Sequence, residues 1–269
     1  MTRASTTGSF RTSASSSRSA ALSAWLLRVP SVALLDYEHV HQATIALSDV
    51  IWFPDVLRNA ALPPKSRRLA RFYAGLKENL YLDDWPVDRA AERAALAVGD
   101  GEYLVVARPA ADSAHYAHAD SSRFWLEAVR LLAGREGVRV IAVARNDAQR
   151  AELRAQLGHL PRVALLEKVV NGPGLVAAAD LVLGGGGTMN REAAVLGVPA
   201  WSTFCGPMPH IDAVLHREGR LRWIRSEAEL EDARRAPLPG RPAARGPFRE
   251  GLAAIAADVE ARVAAVARG

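Results

Sequence analysis

Cysteine is almost absent from this 269-residue chain. Cys205 stands alone, which excludes an internal disulfide framework, and no Cys and His residues fall at the short spacings of a structural zinc site. No metal is expected, and a reducing, cytoplasmic setting is the default. Long apolar runs are also lacking. No stretch reaches the roughly 18 to 20 apolar residues of a membrane span, so the chain reads as soluble, with peripheral membrane contact left open. The Ser-rich, Arg-bearing start raises a signal or transit sequence, but Arg28 and Pro30 interrupt its apolar run early. Acidic residues are missing before Asp36, whereas Arg3, Arg11, Arg18 and Arg28 precede it, and from Asp36 onward 30 Lys and Arg face 29 Asp and Glu. The net charge of +5 therefore belongs to the tail. A neutral body with no basic run interleaved with aromatics lacks the face that binds a phosphate backbone, so nucleic acid is not an expected partner.

What remains is ordinary globular composition, 49% hydrophobic and 23% charged. Residues 1–16 carry almost no large apolar side chains and read as a disordered tail. A helix is expected over Ser19 to Leu27, a short buried strand over Ser31 to Leu35 and another over Val50 to Phe53, with 57–85 an irregular connection. Residues 17–85 then form a partial amino-terminal Rossmann-like lobe, and 86–100 an inter-lobe linker with a short helix from Asp88. From residue 101 six short β-rich runs alternate with amphipathic stretches (YLVVARP, VRVIAVAR, RVALLEKVV, DLVLGGGG, VPAWSTF and LRWIR), the pattern of a complete doubly wound parallel sheet covered on both faces. That domain runs over 101–246, and 247–269 reads as a carboxy-terminal helix docking back on the fold. The fold class is α/β.

In an open parallel sheet, ligands sit beyond the carboxyl ends of the strands. DLVLGGGGTMNREAA places four glycines between a buried strand and a helix start, where missing side chains let an anion approach free N–H groups and the positive end of the helix dipole. Thr188 can cap the helix or donate to phosphate, and Glu192, one turn on, can accept from ribose hydroxyls. A tight strand-to-helix turn is the plainer reading. The turn matches neither a Walker loop nor the dinucleotide fingerprint, since no Gly-Lys-Ser/Thr follows and it sits on the fourth strand of its domain.

These residues resemble the donor-binding segment of GT-B glycosyltransferases and of the non-hydrolysing UDP-N-acetylglucosamine 2-epimerases. SRSAALSAWLL, DYEHV, WFPD, GLKENLYL, Arg-Pro followed by a Tyr, and GGGGTMNREAAVLG together resemble an uncharacterised family described as predicted glycosyltransferases. The resemblance implies two Rossmann-like lobes, a nucleotide-sugar (UDP-sugar) as substrate with no separate cofactor, and an acceptor that remains unspecified. It also implies that an opening of on the order of 80 residues, more than ordinary loop variation, is missing from the first lobe, which would leave the 31–35 strand with an unpaired edge.

The loop after that strand crowds Asp36, Glu38 and His39, a cluster able to tune one group as a general base or, equally, a hydrogen-bonded surface loop. By resemblance Glu38 falls at the epimerases' catalytic Glu, with Asp36 in place of a His, but the catalytic Asp of their Gly-Asp-Thr-Thr meets the Ser16 to Ser19 segment and has no counterpart. Their His-Arg-Arg-Glu-Asn becomes Ala107, Arg108 and Pro109, of which Arg108 alone matches, while His115 and His118 follow nearby. Glycosyl transfer asks for less than epimerisation and is the expected activity, with an epimerase-like enzyme on the same donor as the alternative and a truncated, non-catalytic nucleotide-binding protein as a further one. Transfer needs diphosphate stabilisation, which Arg108, Arg145 and the glycine turn could supply, and one base. The expected nucleotide-sugar site comprises Arg108, Arg145, Asn171, Gly185, Gly186, Gly187, Thr188, Asn190 and Glu192, with Asn171 and Gly172 presenting backbone to the base. Phe204, Gly206 and Asp212 are expected to border the sugar, Asp212 alternatively capping a helix.

Overall fold

The computed structural model describes residues 18–39, 42–110, 119–167 and 171–266. The chain divides into two compact units, one formed by Met1–Ala74 with Glu250–Gly269 and the other by Gly75–Arg249. The first contains α1 (Arg18–Leu26), β1 (Val32–Leu34), α2 (Gln42–Ala46), β2 (Val50–Pro54), α3 (Pro64–Leu69) and β3 (Ala70–Tyr73). The second contains α4 (Asn79–Leu82), α5 (Arg89–Ala95), β4 (Tyr103–Arg108), α6 (Ala119–Ala133), β5 (Val138–Ala142), α7 (Asp147–Leu157) and β6 (Val163–Leu165). It continues with α8 (Gly172–Ala178), β7 (Leu181–Gly184), α9 (Thr188–Val195), β8 (Ala200–Ser202), α10 (His210–Arg217), β9 (Leu221–Trp223) and α11 (Glu227–Arg235). Then α12 (Arg249–Val266) returns the chain to the first unit. No described helix is long and apolar enough to cross a membrane.

The first unit holds a three-stranded parallel sheet ordered β1-β2-β3. All five residues of β2 are buried, as a central parallel strand requires, whereas β1 is half-buried. Residues 57–85 depart from the irregular connection expected of them. Pro64 opens α3 at its first helical position, where proline's missing N–H is no loss, and β3 pairs with β2 in the register Ile51↔Ala70 to Pro54↔Tyr73. The strand Ala-Arg-Phe-Tyr escaped notice because its exposed Arg71 breaks the apolar run that marks a buried strand. Within this unit, the Trp52 indole Nε1 donates to Asp258 of α12 at 3.1 Å, so the terminal helix docks on the sheet. The boundary between the two units falls at Ala74 and Gly75. Residues 75–100 pack within the second unit, α4 on α9 and α5 on α8.

The second unit is a six-stranded, all-parallel sheet ordered β6-β5-β4-β7-β8-β9, and all six expected strands are present. Strand β4 alternates faces: Val105 and Ala107 join Trp125 and Leu132 of α6, while Leu104 and Val106 join Leu175, Val176, Met189 and Ala193. The chain runs outward from β4 in one direction and restarts at β7 in the other, so a crevice opens between the carboxyl ends of these neighbouring central strands. Helix α11 was not anticipated. Ser226 caps it by accepting from the Glu229 N–H at 3.2 Å.

Candidate functional site

The glycine turn closes that crevice. Gly184 ends β7, the Gly185 N–H donates to the Arg108 carbonyl at the end of β4 (3.0 Å), and Gly187 caps α9 without a side-chain hydrogen bond. Two glycines are obligatory for different reasons. A Cβ on Gly185 would lie 2.3 Å from the Ala110 backbone nitrogen, and Gly186 has a φ of +99°. Thr188 is the first helical residue rather than the cap, and it is exposed. Among the described residues no side chain caps the amino end of α9, so its first amides and the positive end of its dipole have no capping partner there.

A cavity of about 240 Å³ sits here, lined by Arg108, Arg145, Gly184, Gly186, Gly187, Thr188 and Met189. Among the described residues its charged lining consists of two guanidinium groups. Arg145 follows β5, and its N–H donates to the Gln149 amide oxygen at 2.9 Å, while the same amide donates to the Ala110 carbonyl at 3.1 Å. The buried Gln149 thus ties the turn carrying Arg145 to the loop that packs against Gly185. A larger cavity of about 360 Å³ lies at the amino ends of β4 to β6. Its Arg139 and Arg162 already donate to the Ala97 and Arg135 carbonyls, and it is at the wrong end of a parallel sheet for a ligand.

Glu192 is half-buried, and its Oε1 accepts from the Tyr81 hydroxyl at 2.8 Å. Burial pushes its carboxyl above the usual range, while the Tyr81 hydrogen bond and the charges of Arg108 and Lys77 pull it back down. Sequence reasoning passed over Lys77 and Tyr81 because GLKENLYL reads as a connector; the detectable signal was its place in the family resemblance. Asn190 is wholly buried beneath the turn, its amide oxygen so near Gly184 that a Cβ there would lie 2.1 Å from it. The Asn190 amide atoms and the Ser202 and Thr203 hydroxyls are buried with no hydrogen-bond partner among the described residues. Asn171 is exposed at the start of α8, where its carbonyl accepts from Leu175 N–H.

Asp212 departs from expectation. It is 1% exposed, within α10, and its carboxylate pairs with Arg191 of α9 at 3.1 Å inside the fold, and the helix cap is Pro209. Cys205 is held by the Ser121 hydroxyl, which accepts its N–H at 3.0 Å. In the first unit, Glu38 is buried and its Oε1 lies 4.0 Å from Nε2 of the exposed His39, whose ring meets Tyr37 edge-on at 5.0 Å. Asp36 is half-buried. His115 and His118 lie outside the described residues. Among the described residues no three His, Cys, Asp or Glu are grouped to hold a metal.

A family described as "Protein of unknown function (DUF354)" matches residues 14–231, most of the chain. The chain belongs to this family. A relative, uncharacterized protein MJ0665 of Methanocaldococcus jannaschii, is 24% identical over 204 residues, covering 72% of this chain and 57% of its own; the chain thus spans little more than half of that relative's length. Among solved structures it is similar to UDP-GlcNAc 2-epimerase from Neisseria meningitidis bound to UDP-GlcNAc (13% identity, TM-score 0.65, 90% of this chain and 72% of that one). It is also similar to UDP-GlcNAc 2-epimerase from M. jannaschii (14% identity, TM-score 0.59, 90% and 74%). These likenesses show the fold: this family member is an α/β protein of GT-B type with parallel sheets of three and six strands.

Proposed function

We propose that this protein binds a nucleotide-sugar, with its diphosphate in the cavity between the carboxyl ends of β4 and β7, and transfers the sugar to an acceptor. The observation carrying this reading is the composition of the cavity: Arg108, Arg145, Thr188 and the start of α9, which no described side chain caps. Every one of these groups is a donor or a cation, the set that stabilises the charge growing on a departing nucleoside diphosphate. Glu192 is assigned to the ribose, Asn171 to the base, and Asn190, behind Gly184, to support of the turn. A UDP-sugar is the favoured donor, since the N. meningitidis enzyme of the same fold was solved with UDP-GlcNAc. Glu38, with Asp36 and His39 beside it, is assigned the acid/base role of the first unit.

The fold likeness favours a second reading, epimerisation at carbon 2 of the donor sugar. It demands acid/base groups on both faces of the sugar carbon, whereas the cavity's described lining has no carboxylate or imidazole. The two readings separate in one assay. NMR of UDP-N-acetylglucosamine incubated with the enzyme should show no 2-epimer without an acceptor, and UDP release only when a matched acceptor is supplied. Accumulation of the epimer from donor alone would replace transfer by epimerisation. In whichever assay turns over, Glu38→Gln should lower kcat about a hundredfold or more while donor binding is kept; an unchanged kcat removes Glu38 from the mechanism.

A further inference from the structure

The GLKENLYL segment, read from sequence as a connector, is built into the nucleotide site. Gly75, with a φ of +88°, turns the chain, and Asn79 locks the turn by accepting from the Leu76 N–H at 2.8 Å and donating to Asp83 at 2.7 Å and to the Arg245 carbonyl at 2.8 Å. The short helix so fixed packs on α9 and delivers the Tyr81 hydroxyl to Glu192 Oε1 at 2.8 Å. Tyr81 is exposed elsewhere, with 42% of its surface in solvent. A large aromatic left in solvent while its hydroxyl is spent on one carboxylate gains little from burial, so the contact's value lies in what it does to Glu192.

We propose that Tyr81 is a positioning residue for ribose recognition, holding Oε1 of Glu192 so that the carboxylate presents Oε2 to the ribose hydroxyls. This rests on the nucleotide reading above. A glutamate side chain has three rotatable bonds, and fixing one oxygen removes most of the freedom that ligand binding would otherwise have to remove. A hydrogen bond to the carboxylate also favours its charged, accepting form. Lys77, from the same segment, adds its charge in the same direction. Tyr81 therefore acts through Glu192 and makes no claim on the ligand itself.

The test is calorimetric titration of the full chain with UDP and with 2′-deoxy-UDP, across pH 5 to 8, for wild type, Tyr81→Phe and Tyr81→Ala. Tyr81→Phe keeps the ring and removes one hydroxyl, which guards against misfolding. Wild type should prefer UDP, and Tyr81→Phe should weaken UDP roughly tenfold, the scale of a charge-assisted hydrogen bond, with 2′-deoxy-UDP affected much less. Losing that hydrogen bond raises the Glu192 carboxyl further. UDP affinity should therefore begin to fall at a higher pH in Tyr81→Phe than in wild type as the medium is acidified, a shift that a purely structural role would not cause. Equal preference for UDP in wild type and Tyr81→Phe, with matching pH profiles, overturns the inference and leaves the nucleotide reading intact. Failure of folded wild type to bind either nucleotide overturns both.

Discussion

Glu192, proposed to hold the ribose, is a carboxylate held at a cost to the fold. Burial raises its carboxyl above the ordinary value in spite of Tyr81, Arg108 and Lys77. A group whose folded-state pKa lies above its unfolded one contributes stability in full below the unfolded value, near 4.3 for glutamate, and loses it as pH rises through the raised folded value. At pH 8 the buried charge is thus a net burden. Glu192→Gln keeps an oxygen for Tyr81 and drops the charge, so thermal unfolding at pH 8 should show a Tm about 2 °C or more above wild type, with the gap closing toward pH 4. A lower Tm at pH 8 would mean that the ion interactions, and not desolvation, dominate there. That Arg108 and Arg145 would line one cavity was legible because Arg108 ends β4 and Arg145 lies three residues beyond β5. Tyr81 was not, since nothing in the order of residues says that a helix of four residues reaches a carboxylate 111 positions away.

At the scale of elements, α9 is tied to α10 by the ion pair between Arg191 and Asp212, both almost fully buried. Removing one partner leaves an uncompensated buried charge, typically about 3 to 5 kcal/mol. Asp212→Ala should lose about that much in urea unfolding, whereas a loss below about 1 kcal/mol would show the pair to be solvated in solution. The sequence left Asp212 open between bordering the ligand and capping the helix, because an acidic residue at a helix start after a strand fits both uses. Only packing distinguishes a carboxylate facing outward from one facing a neighbouring helix. The six strands of the second sheet were readable for the opposite reason: each is a short apolar run bounded by turn residues, a purely local property. Strand β3 lacked that pattern, being an edge strand with an exposed arginine, and its pairing with β2 is a long-range fact that no local window contains.

At the scale of the whole molecule, the strand order β6-β5-β4-β7-β8-β9 decides where a crevice opens at the carboxyl ends of the strands. It brings the ends of β4 and β7 together although 75 residues separate Arg108 from the Gly184 paired with it, and the glycine turn, the two arginines and the start of α9 all meet there. The larger cavity at the opposite end has its cations committed to backbone carbonyls, so size alone misleads. The central claim is that the turn receives a nucleoside diphosphate. Calorimetric titration of UDP into wild type and Gly186→Val tests it most directly, because valine at a φ of +99°, with its Cβ 3.2 Å from the Phe204 side chain, disturbs the turn itself. Wild type should bind UDP with a Kd in roughly the micromolar range, about −8 kcal/mol, and the variant, its circular dichroism unchanged, should bind at least tenfold more weakly. Well-folded wild type that binds no UDP, or a variant that binds it equally well, would contradict the account.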